Sequence, residues 1–230
     1  MTRRLSVIIP ARNEAQALPW LLADLAALRA DGAELILVDG GSSDATCALA
    51  ASRVDQLLSG SAGRAVQMNQ GAAAASGEYL WFVHADTRVS AESLRSLLDV
   101  LNERPVWGRF DVRLAGAGLA LRVIGAMINL RSRLTGIASG DQGIFVRREC
   151  FEALGGYAAI PLMEDLQLCR RLKRQVRPRC LRPPLSTSSR RWEQQGVIRT
   201  VLLMWRLRLA YYWGVSPERL ASQYRRGSQP

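Results

Sequence analysis

The sequence predicts an α/β protein built on a doubly wound, mostly parallel sheet. Two observations lead to this prediction. Short apolar strands alternate with helical segments through the first half of the chain, and polar residues follow the ends of three of those strands. With 230 residues, of which 48% are hydrophobic, the chain can bury a substantial core.

Four strands and three helical segments are predicted in the first half. Leucines recur at helical spacing over 18–28, a helix capped by Ser42 or Ser43 runs to residue 50, and an alanine-rich helix covers 63–76. The predicted strands are 5–9, closed by Pro10, then 34–38, 54–58 and 79–83.

The second half is less regular, but the same patterns continue. Strands are predicted at 106–114 and 143–146, and helices at 119–134, from 161 onward and over the apolar stretch 197–213. Neither an internal repeat nor a low-complexity linker separates the halves. We therefore expect one domain that covers residues 1–230.

Three strand ends are followed by polar residues. Asn13 and Glu14 lie just past the first strand, Asp39 ends the second, and His84 and Asp86 follow the fourth. Taken alone, each cluster could simply mark the place where a strand ends at the solvent-exposed surface. Because the carboxyl ends of parallel strands share one edge of the sheet, where ligands bind, we expect the three clusters to converge on a binding site.

The charge is unevenly distributed along the chain. Residues 1–100 carry 8 basic and 11 acidic residues, net −3, whereas residues 101–230 carry 23 basic and 9 acidic residues, net +14. Thirty of the 31 basic residues are arginines, which pair well with phosphate. The asymmetry indicates an anionic partner, which could be a phosphorylated substrate, a lipid headgroup or a nucleic acid.

The cysteines and the apolar stretch near the C-terminus bear on the location of the protein. Four scattered cysteines without a CxxC motif, and a single histidine, predict reduced thiols in a cytoplasmic protein and argue against a zinc site. The longest uncharged run after residue 196 is nine residues, 209–217, far below the ~20 that span a bilayer. The stretch is either a buried helix or an interfacial one, which would make the protein peripheral at the inner face of the membrane.

Four motifs resemble family 2 glycosyltransferases of the GT-A fold: "SVIIPARNE" (6–14), "LILVDGGSSDAT" (35–46), "GRAVQMNQGAAAASGEYLWFVHADT" (63–87) and "MEDLQL" (163–168). Three more, "WGRFDVRL", "GDQGIFVRR" and "SSRRW", resemble a bacterial subgroup known as radical-SAM/selenodomain-associated transferases. The resemblance implies a nucleotide-sugar half at about 1–104, an acceptor half at about 105–195, and an apolar helix with a basic tail at 196–230.

The resemblance implies a nucleotide diphosphate sugar as donor, with UDP as the expected nucleotide. Asp39 would accept a hydrogen bond from the imide N–H of uracil, although an Asp before Gly-Gly also suits a simple turn. Arg64 is expected near the diphosphate or the base. The alternative interpretation is that Arg64 is a solvent-exposed arginine at the start of a helix, without a ligand. The residues that the resemblance places at the nucleotide are Pro10, Arg12, Glu14, Asp39, Gly41, Arg64, Asn69, His84 and Asp86.

His84-Ala85-Asp86 occupies the position of the family's DxD motif. Side chains at i and i+2 of an extended segment point the same way, so both could reach one Mn2+ or Mg2+ ion that bridges the diphosphate oxygens. Histidine replaces the first acidic residue here. Asp86 is therefore the expected metal ligand, and His84 either joins it or hydrogen-bonds to ribose or to a neighbouring loop.

Glu164-Asp165 matches the family's catalytic acidic pair. The resemblance implies an inverting transfer in which Asp165 removes the acceptor proton and Glu164 assists; Asp141 is the rival carboxylate. Acidic residues also favour the first turn of any helix. Asp141, Gln142, Arg191 and Trp192 are the residues expected to contact the acceptor. The sequence does not identify the acceptor, and a phosphorylated or a lipid-linked molecule is a candidate. Ser188 stands where processive members have glutamine, so processivity is not implied.

Other functions remain open from the sequence. A non-catalytic sugar-nucleotide-binding protein is the main alternative, because His84 breaks the DxD pattern. The basic charge also suits a nucleic-acid-binding protein, but no aromatic-basic RNA motif or recognition helix is visible and the N-terminal half is acidic, so no nucleic acid is expected. A sugar-nucleotide-forming enzyme would need a glycine-rich loop after the first strand, where the sequence reads "PARNE".

Overall fold

The protein is described by a computed structural model that covers residues 4–116, 118–188 and 196–226. Within these ranges eight strands form one sheet. They are β1 (Leu5–Ala11), β2 (Glu34–Asp39), β3 (Gln56–Ser59), β4 (Tyr79–Phe82), β5 (Thr87–Arg88), β6 (Trp107–Leu114), β7 (Phe145–Arg147) and β8 (Arg179–Thr187). Their order across the sheet is β3-β2-β1-β4-β7-β6-β8-β5.

Helices connect the strands and cover the sheet. They are α1 (Leu18–Asp24), α2 (Ala26–Ala30), α3 (Thr46–Ala50), α4 (Arg64–Ala74), α5 (Ala91–Asn102), α6 (Leu119–Thr135), α7 (Arg148–Ala153), α8 (Glu164–Gln175), α9 (Val197–Tyr212) and α10 (Pro217–Arg226). A single 3-10 turn covers Gly140–Gln142.

The sheet is parallel in its N-terminal half and mixed in its C-terminal half. Strands β1 to β4 pair in parallel, with Ile8 of β1 opposite Ile36 of β2 and Phe82 of β4. Strand β7 is antiparallel to both β4 and β6, whereas β6 and β8 are parallel to each other. The predicted mostly parallel α/β sheet is thus confirmed.

Residues of the central strands point alternately to two cores, one on each face of the sheet. Val7 and Ile9 pack with the leucines of α1, and Ile8 between them packs with Ala65 and Met68 of α4. This alternation follows from the two-residue period of a strand. Because helices bury both faces, the sheet is doubly wound, as the sequence predicts.

Two local predictions need correction. Strand β1 continues through Pro10, because β4 pairs only as far as Ile8 and the proline lies where β1 has a strand partner on one side alone. Neither Ser42 nor Ser43 caps α3, whose first turn starts after Ala45. The Ser42 hydroxyl instead accepts a hydrogen bond from the Asn13 amide.

Several elements were not predicted from the sequence, namely β5, α5, α7, β8 and α10. Strand β8 contains Pro183-Pro184, which argues against a strand in the sequence. The prolines lie at an irregularity where the pairing with β6 shifts between Phe110 and Val112. Prolines are tolerated there because their missing N–H groups interrupt no regular ladder.

The apolar stretch near the C-terminus forms α9, which is partly packed and partly exposed. Leu207 is buried in a core cluster, and the Arg170 guanidinium of α8 lies 4.2 Å from the Tyr212 ring. Trp205 and Leu202 of the same helix are exposed. Of the helices in the described residues, none has the length and apolar character needed to cross a membrane.

Candidate functional site

A cavity of about 800 Å³ opens at the carboxyl edge of β1 and β4. Its walls come from the loops after these strands, the 3-10 turn, the start of α8, and helices α6, α9 and α10. The location is the one expected for a ligand site in a parallel α/β sheet. Nine of the sequence-predicted residues line it: Pro10, Arg12, Glu14, Arg64, His84, Asp86, Asp141, Glu164 and Asp165.

The loop after β1 is held by the loop after β2. Asn13 has a left-handed backbone, with φ of 56°, and its side-chain oxygen accepts a hydrogen bond from the Ser43 amide at 2.8 Å. The Glu14 amide donates to the Thr46 hydroxyl at 2.8 Å. These bonds fix the backbone that carries Arg12 and Glu14 at the cavity wall.

Asp39 forms a turn at the end of β2 and does not line the cavity. Its buried carboxylate accepts hydrogen bonds from the backbone amides of Gly41 and Ser42, each at 3.0 Å. Burial alone would raise the pKa of this carboxyl, but hydrogen bonds from Ser42 and Gly41 outweigh burial and lower the pKa. Gly41, with φ of 83°, belongs to the same turn. The carboxyl is therefore ionised and oriented, and its role towards a base stays a prediction.

Gln67 of α4 was missed by the sequence reasoning. Its side-chain nitrogen donates to the carbonyl oxygens of Ala11, at 2.9 Å, and Val38, at 2.8 Å. It thus joins the ends of β1 and β2 while it lines the cavity. The sequence feature that could have identified it is a glutamine next to Met68 on the buried face of an alanine-rich helix.

Asn69, two residues after Gln67 on α4, lies outside the cavity lining. Its nitrogen donates to the Tyr157 carbonyl at 2.8 Å, and its oxygen accepts from the Tyr157 amide at 2.9 Å. Both ends of the side-chain amide are thus used to attach α4 to the segment before α8. These contacts are structural and give no support to the predicted nucleotide contact.

His84 faces Asp141 across the cavity. Its Nδ1 lies 3.2 Å from Asp141 Oδ1, and its Nε2 is buried without a hydrogen-bond partner in the part of the chain that the structure describes. Burial opposes ionisation of Asp141, but the hydrogen bond from His84 and the charges of Arg64 and Arg208 lower its pKa. Asp141 is therefore a carboxylate at neutral pH, and it orients the imidazole.

Asp86 lies on the same wall and is half-buried. Among the described residues, no group of three His, Cys, Asp or Glu side chains could by itself hold a metal ion. Mg2+ and Mn2+ are commonly bound by one or two carboxylates together with phosphate oxygens. Asp86 fits that arrangement as a single carboxylate ligand, whereas the Nδ1 of His84 is directed at Asp141 instead.

Glu164 and Asp165 begin α8 directly after a strained residue. Met163 has a left-handed backbone, with φ of 71°, which is costly for a non-glycine residue. Glu164 is buried, 3.6 Å from the Arg64 guanidinium. Burial first, and the charge of Asp165 second, raise the pKa of the Glu164 carboxyl, although Arg64 opposes this shift.

Asp165 is oriented by backbone amides. Its Oδ2 accepts a hydrogen bond from the Gly140 amide at 2.6 Å and its Oδ1 accepts one from the Leu166 amide at 2.7 Å. The side chain is half-buried at the cavity wall. A carboxylate held in this way keeps lone pairs for a ligand hydroxyl, which suits proton removal.

Gln142, a predicted acceptor residue, does not line the described cavity. Gln142 is fully buried: its nitrogen donates to the Phe110 carbonyl at 3.2 Å and its oxygen accepts from the Ser139 amide at 3.2 Å. It holds the 3-10 turn in place. Arg191 and Trp192 lie outside the residues that the structure describes.

Two arginines from apolar helices also line the cavity, and neither was predicted. Arg131 comes from α6 and Arg208 from α9. Burial first, and the neighbouring Arg208 charge second, lower the pKa of Arg131 to about 10. The signal that could have found them is a charged residue inside an otherwise apolar helix.

Comparisons with known proteins agree with this geometry. The family model described as "Glycosyl transferase family 2" matches residues 6–154. A comparison with curated protein sequences gives no match. Among solved structures, S. aureus TarS 1-349 superposes with a TM-score of 0.66 at 18% identity, over 87% of this chain and 65% of that chain. The same fragment has been solved with UDP-GlcNAc.

Two further structures have similar folds. The mannosyltransferase PcManGT from Pyrobaculum calidifontis, in complex with GDP-Man and Mn2+, gives a TM-score of 0.63 at 18% identity and covers 97% of this chain and 69% of that chain. Glucosyl-3-phosphoglycerate synthase from Mycobacterium tuberculosis has been solved in complex with Mn2+, UDP and glucosyl-3-phosphoglycerate. It gives a TM-score of 0.62 at 20% identity and covers 87% of this chain and 79% of that chain. The chain spans less than two thirds of the TarS fragment.

Proposed function

Because the chain belongs to glycosyl transferase family 2, we propose that it transfers a sugar from a nucleotide diphosphate sugar to an acceptor hydroxyl, with inversion at the anomeric carbon. One observation carries the proposal. A single cavity brings the strand-end residues Arg12, Glu14 and Asp86 together with the acidic pair Glu164-Asp165. A donor and an acceptor held there would meet beside a carboxylate.

The donor is proposed to bind at the carboxyl edge of β1, β2 and β4, with its base towards Asp39. The ionised carboxyl of Asp39 can accept the imide N–H of uracil in addition to its two backbone amides, since a carboxylate offers about four lone-pair sites. Neighbouring structures with UDP-GlcNAc and UDP support uracil, and one with GDP-Man supports another base. We propose UDP as the nucleotide, because the Asp39 carboxylate can accept a hydrogen bond from the imide N–H of uracil.

A divalent ion, Mn2+ or Mg2+, is part of the proposal. Asp86 would hold it together with diphosphate oxygens, and the ion would supply positive charge to the departing nucleotide diphosphate. Mn2+ in two neighbouring complexes supports this choice. Arg64, beside Glu164, adds a fixed positive charge at the same wall.

The proposed base is Asp165. The acceptor oxygen forms a bond to the anomeric carbon as the bond from that carbon to the diphosphate oxygen breaks, and the acceptor proton moves to Asp165. The Gly140 and Leu166 amides hold this carboxylate in one orientation. Glu164 is less suited to the role, because it is buried and faces Arg64.

The acceptor half is proposed to work beside an anionic membrane surface. Large apolar side chains are exposed along α6 and α9, and the net charge of residues 101–230 is +14. Exposed apolar side chains in a strongly basic part of a protein favour binding to a membrane of anionic lipid. Arg191 and Trp192 stay predicted acceptor contacts.

A non-catalytic sugar-nucleotide-binding protein is the second candidate. It is favoured by His84, whose Nδ1 faces Asp141 and which stands where an acidic metal ligand is expected. Such a protein would bind the donor but neither transfer nor hydrolyse it. The two candidates share the binding site and differ only in turnover.

One experiment tests the proposal and separates the two candidates. The melting temperature is measured with UDP, GDP and ADP, with and without Mn2+, since a ligand that binds the folded state raises it. Release of UDP from UDP-sugars is then measured over hours. We expect the largest shift with UDP and Mn2+ and slow release of UDP. Binding without any release would favour the second candidate, and no nucleotide response would refute both.

A further inference from the structure

Two arginines at the cavity wall have no counter-charge among the residues that the structure describes. Arg131 has one hydrogen bond, from its Nη1 to the Ile137 carbonyl at 3.1 Å, while its Nε and Nη2 are buried without partners. The Nε of Arg208 is likewise buried without a partner. In the described ranges, neither arginine has a carboxylate within 4.0 Å.

The two positive charges oppose each other. Burial first, and the charge of Arg208 second, lower the pKa of Arg131 to about 10, which still leaves Arg131 protonated at neutral pH. A partly buried pair of like charges with unused N–H donors is unfavourable unless an anion joins it. Within the described part of the chain, the pair therefore has no negative partner.

Two carboxylates whose charges reach this pair are already engaged. Asp141 is paired with His84, and Asp165 accepts the Gly140 and Leu166 amides. Their charges reach the two arginines only at longer range. Since no carboxylate of the described residues lies within 4.0 Å of the pair, an anionic ligand in the cavity is a suitable partner for it.

We propose that Arg208, supported by the charge of Arg131, binds a phosphate group of the acceptor. This inference rests on the proposed function for the role of the ligand as acceptor. Guanidinium groups suit phosphate because their planar donors match its oxygens. The terminal nitrogens of Arg208 make no hydrogen bond to any described residue and are free to do so.

The position of the pair favours the acceptor over the donor diphosphate. Arg131 belongs to α6 and Arg208 to α9, in the C-terminal half of the chain, whereas Arg12 follows β1. The charge of Asp165 is felt at Arg131. A phosphate bound here would place a hydroxyl of the same molecule near the proposed base.

The walls beside the arginines are apolar. Met127 and Leu130 of α6 and Trp205 of α9 line the same cavity and are also exposed at its mouth. A phosphate on a soluble molecule and a phosphate at the head of a lipid share the chemistry that the arginines recognise. Only an experiment with both kinds of ligand distinguishes these sources.

The test measures binding of glycerol 3-phosphate by its effect on the melting temperature, with UDP and Mn2+ present and glycerol as the neutral comparison. We expect wild type to respond to the phosphate and not to glycerol. Arg208→Gln should bind it at least about tenfold more weakly, since a hydrogen bond to a charged group is worth about that factor or more. Arg206→Gln, on the exposed side of the same helix, is the matched control and should respond like wild type.

A second variant guards against misfolding. Arg208→Lys keeps the charge and should retain part of the response, and Arg131→Gln should weaken it through loss of charge.

Flotation with phosphatidylcholine vesicles, with and without phosphatidate, tests the lipid source. Binding that needs phosphatidate and Arg208 but not Arg206, with no response to glycerol 3-phosphate, supports a lipid phosphate. A response to glycerol 3-phosphate supports a soluble one.

The outcomes separate this inference from the proposed function. An Arg208→Gln protein that responds to phosphate like wild type refutes the inference, and so does a wild type that responds to neither phosphate probe. If Arg208→Gln loses the UDP response in the same proportion, the arginines serve the donor diphosphate and the inference is wrong. If UDP has no effect on wild type while phosphate binding needs Arg208, the anion site stands and the proposed function fails.

Discussion

At the scale of single residues, the same side chains serve folding and ligand binding. Asp39 holds the turn after β2 through the Gly41 and Ser42 amides, and Asp141 orients His84. Asp165 is fixed by two amides and Glu164 is buried beside Arg64. Substitutions that keep the size of a side chain are therefore needed to separate the two roles.

The first prediction concerns Asp39. Asp39→Asn keeps an oxygen for the turn amides but puts N–H donors on the other side of the group, where they oppose the imide N–H of uracil. We expect the extra stabilisation by UDP over GDP to disappear while the ligand-free melting temperature changes little. Asp55→Asn is the control, because the Asp55 carboxylate also accepts a backbone amide, that of Leu35, but near the start of β2, at the other end of that strand from Asp39. A retained UDP preference in Asp39→Asn would contradict the uracil assignment.

The second prediction separates binding from turnover. Asp86→Asn should weaken the response to UDP and Mn2+, because it removes the carboxylate proposed to hold the ion. Asp165→Asn should keep nucleotide binding but lower the rate of transfer or donor hydrolysis about 10²–10⁴-fold, as expected for loss of a general base. Thermal shifts and UDP release measure the two effects. If Asp165→Asn transfers or hydrolyses the donor at the wild-type rate, Asp165 is not the general base and Asp141 becomes the candidate.

The third prediction concerns the pH dependence of stability. The Glu164 pKa is raised above its ordinary value of 4.5, so the folded state holds this proton more tightly than the unfolded state does. Its ionisation therefore costs stability, a cost that is absent below the unfolded pKa and grows as pH rises through the folded pKa. Glu164→Gln removes the cost, so its melting temperature relative to wild type should rise from about pH 4 to about pH 8.

The control for this pH experiment is Glu149→Gln, an exposed glutamate on α7. Its melting temperature relative to wild type should change little with pH. A constant difference between Glu164→Gln and wild type across the pH range would show that Glu164 has an ordinary pKa.

At the scale of elements, α4 connects the sheet to the cavity. Arg64 at its start reaches Glu164, Gln67 joins β1 to β2, and Asn69 attaches the segment before α8. One helix thus positions residues from both halves of the chain. These contacts account for the polar side chains that α4 directs towards the rest of the protein.

The fourth prediction tests the junction between β1 and β2. Gln67→Ala removes two buried hydrogen bonds, to the Ala11 and Val38 carbonyls, and should cost about 0.5–1.5 kcal/mol of unfolding free energy for each, because the Ala11 carbonyl keeps the Gly40 amide as a donor. Gln70→Ala on the same helix removes a single bond to the Ser59 carbonyl and should cost less, about 0.5–1.5 kcal/mol. Urea denaturation measures both. Equal costs would mean that Gln67 has no special part in the junction.

At the scale of the whole molecule, charge and apolar surface coincide in the second half of the chain. Residues 101–230 carry a net charge of +14, and α6 and α9 expose large apolar side chains next to the cavity. A surface of this kind binds anionic lipid through its charge first and through insertion of its aromatic side chains second.

The fifth prediction is salt-dependent binding to anionic vesicles. Wild type should float with vesicles rich in anionic lipid and much less with neutral ones, and high salt should weaken this because the Debye length falls to about 3 Å at 1 M. A salt-resistant fraction should be lost in the double variant Trp205→Ala, Trp213→Ala. Trp20→Ala, which removes an exposed tryptophan of α1, is the control. No binding at low salt would show that the protein does not use this surface on lipid.

Local patterns in the sequence were enough for much of the fold and for part of the site. The strands that end at Ala11, Asp39 and Phe82 follow from apolar runs, and the residues past them follow from the rule that parallel strands present their carboxyl ends together. Strand β8 was missed because its two prolines are tolerated only at an irregularity in the pairing with β6. That irregularity is a property of the partner strand and cannot be inferred from residues 179–187.

The sequence by itself determined the alternation of strands and helices, the family and the residues at the ends of the strands, because these depend on neighbours along the chain. Only the tertiary structure decided which side chains meet. It turned Gln142 inward, joined Asn69 to Tyr157, and brought Arg131 next to Arg208. Such contacts join residues far apart in the chain, and they depend on how helices pack against the sheet, which a local pattern of residues does not specify.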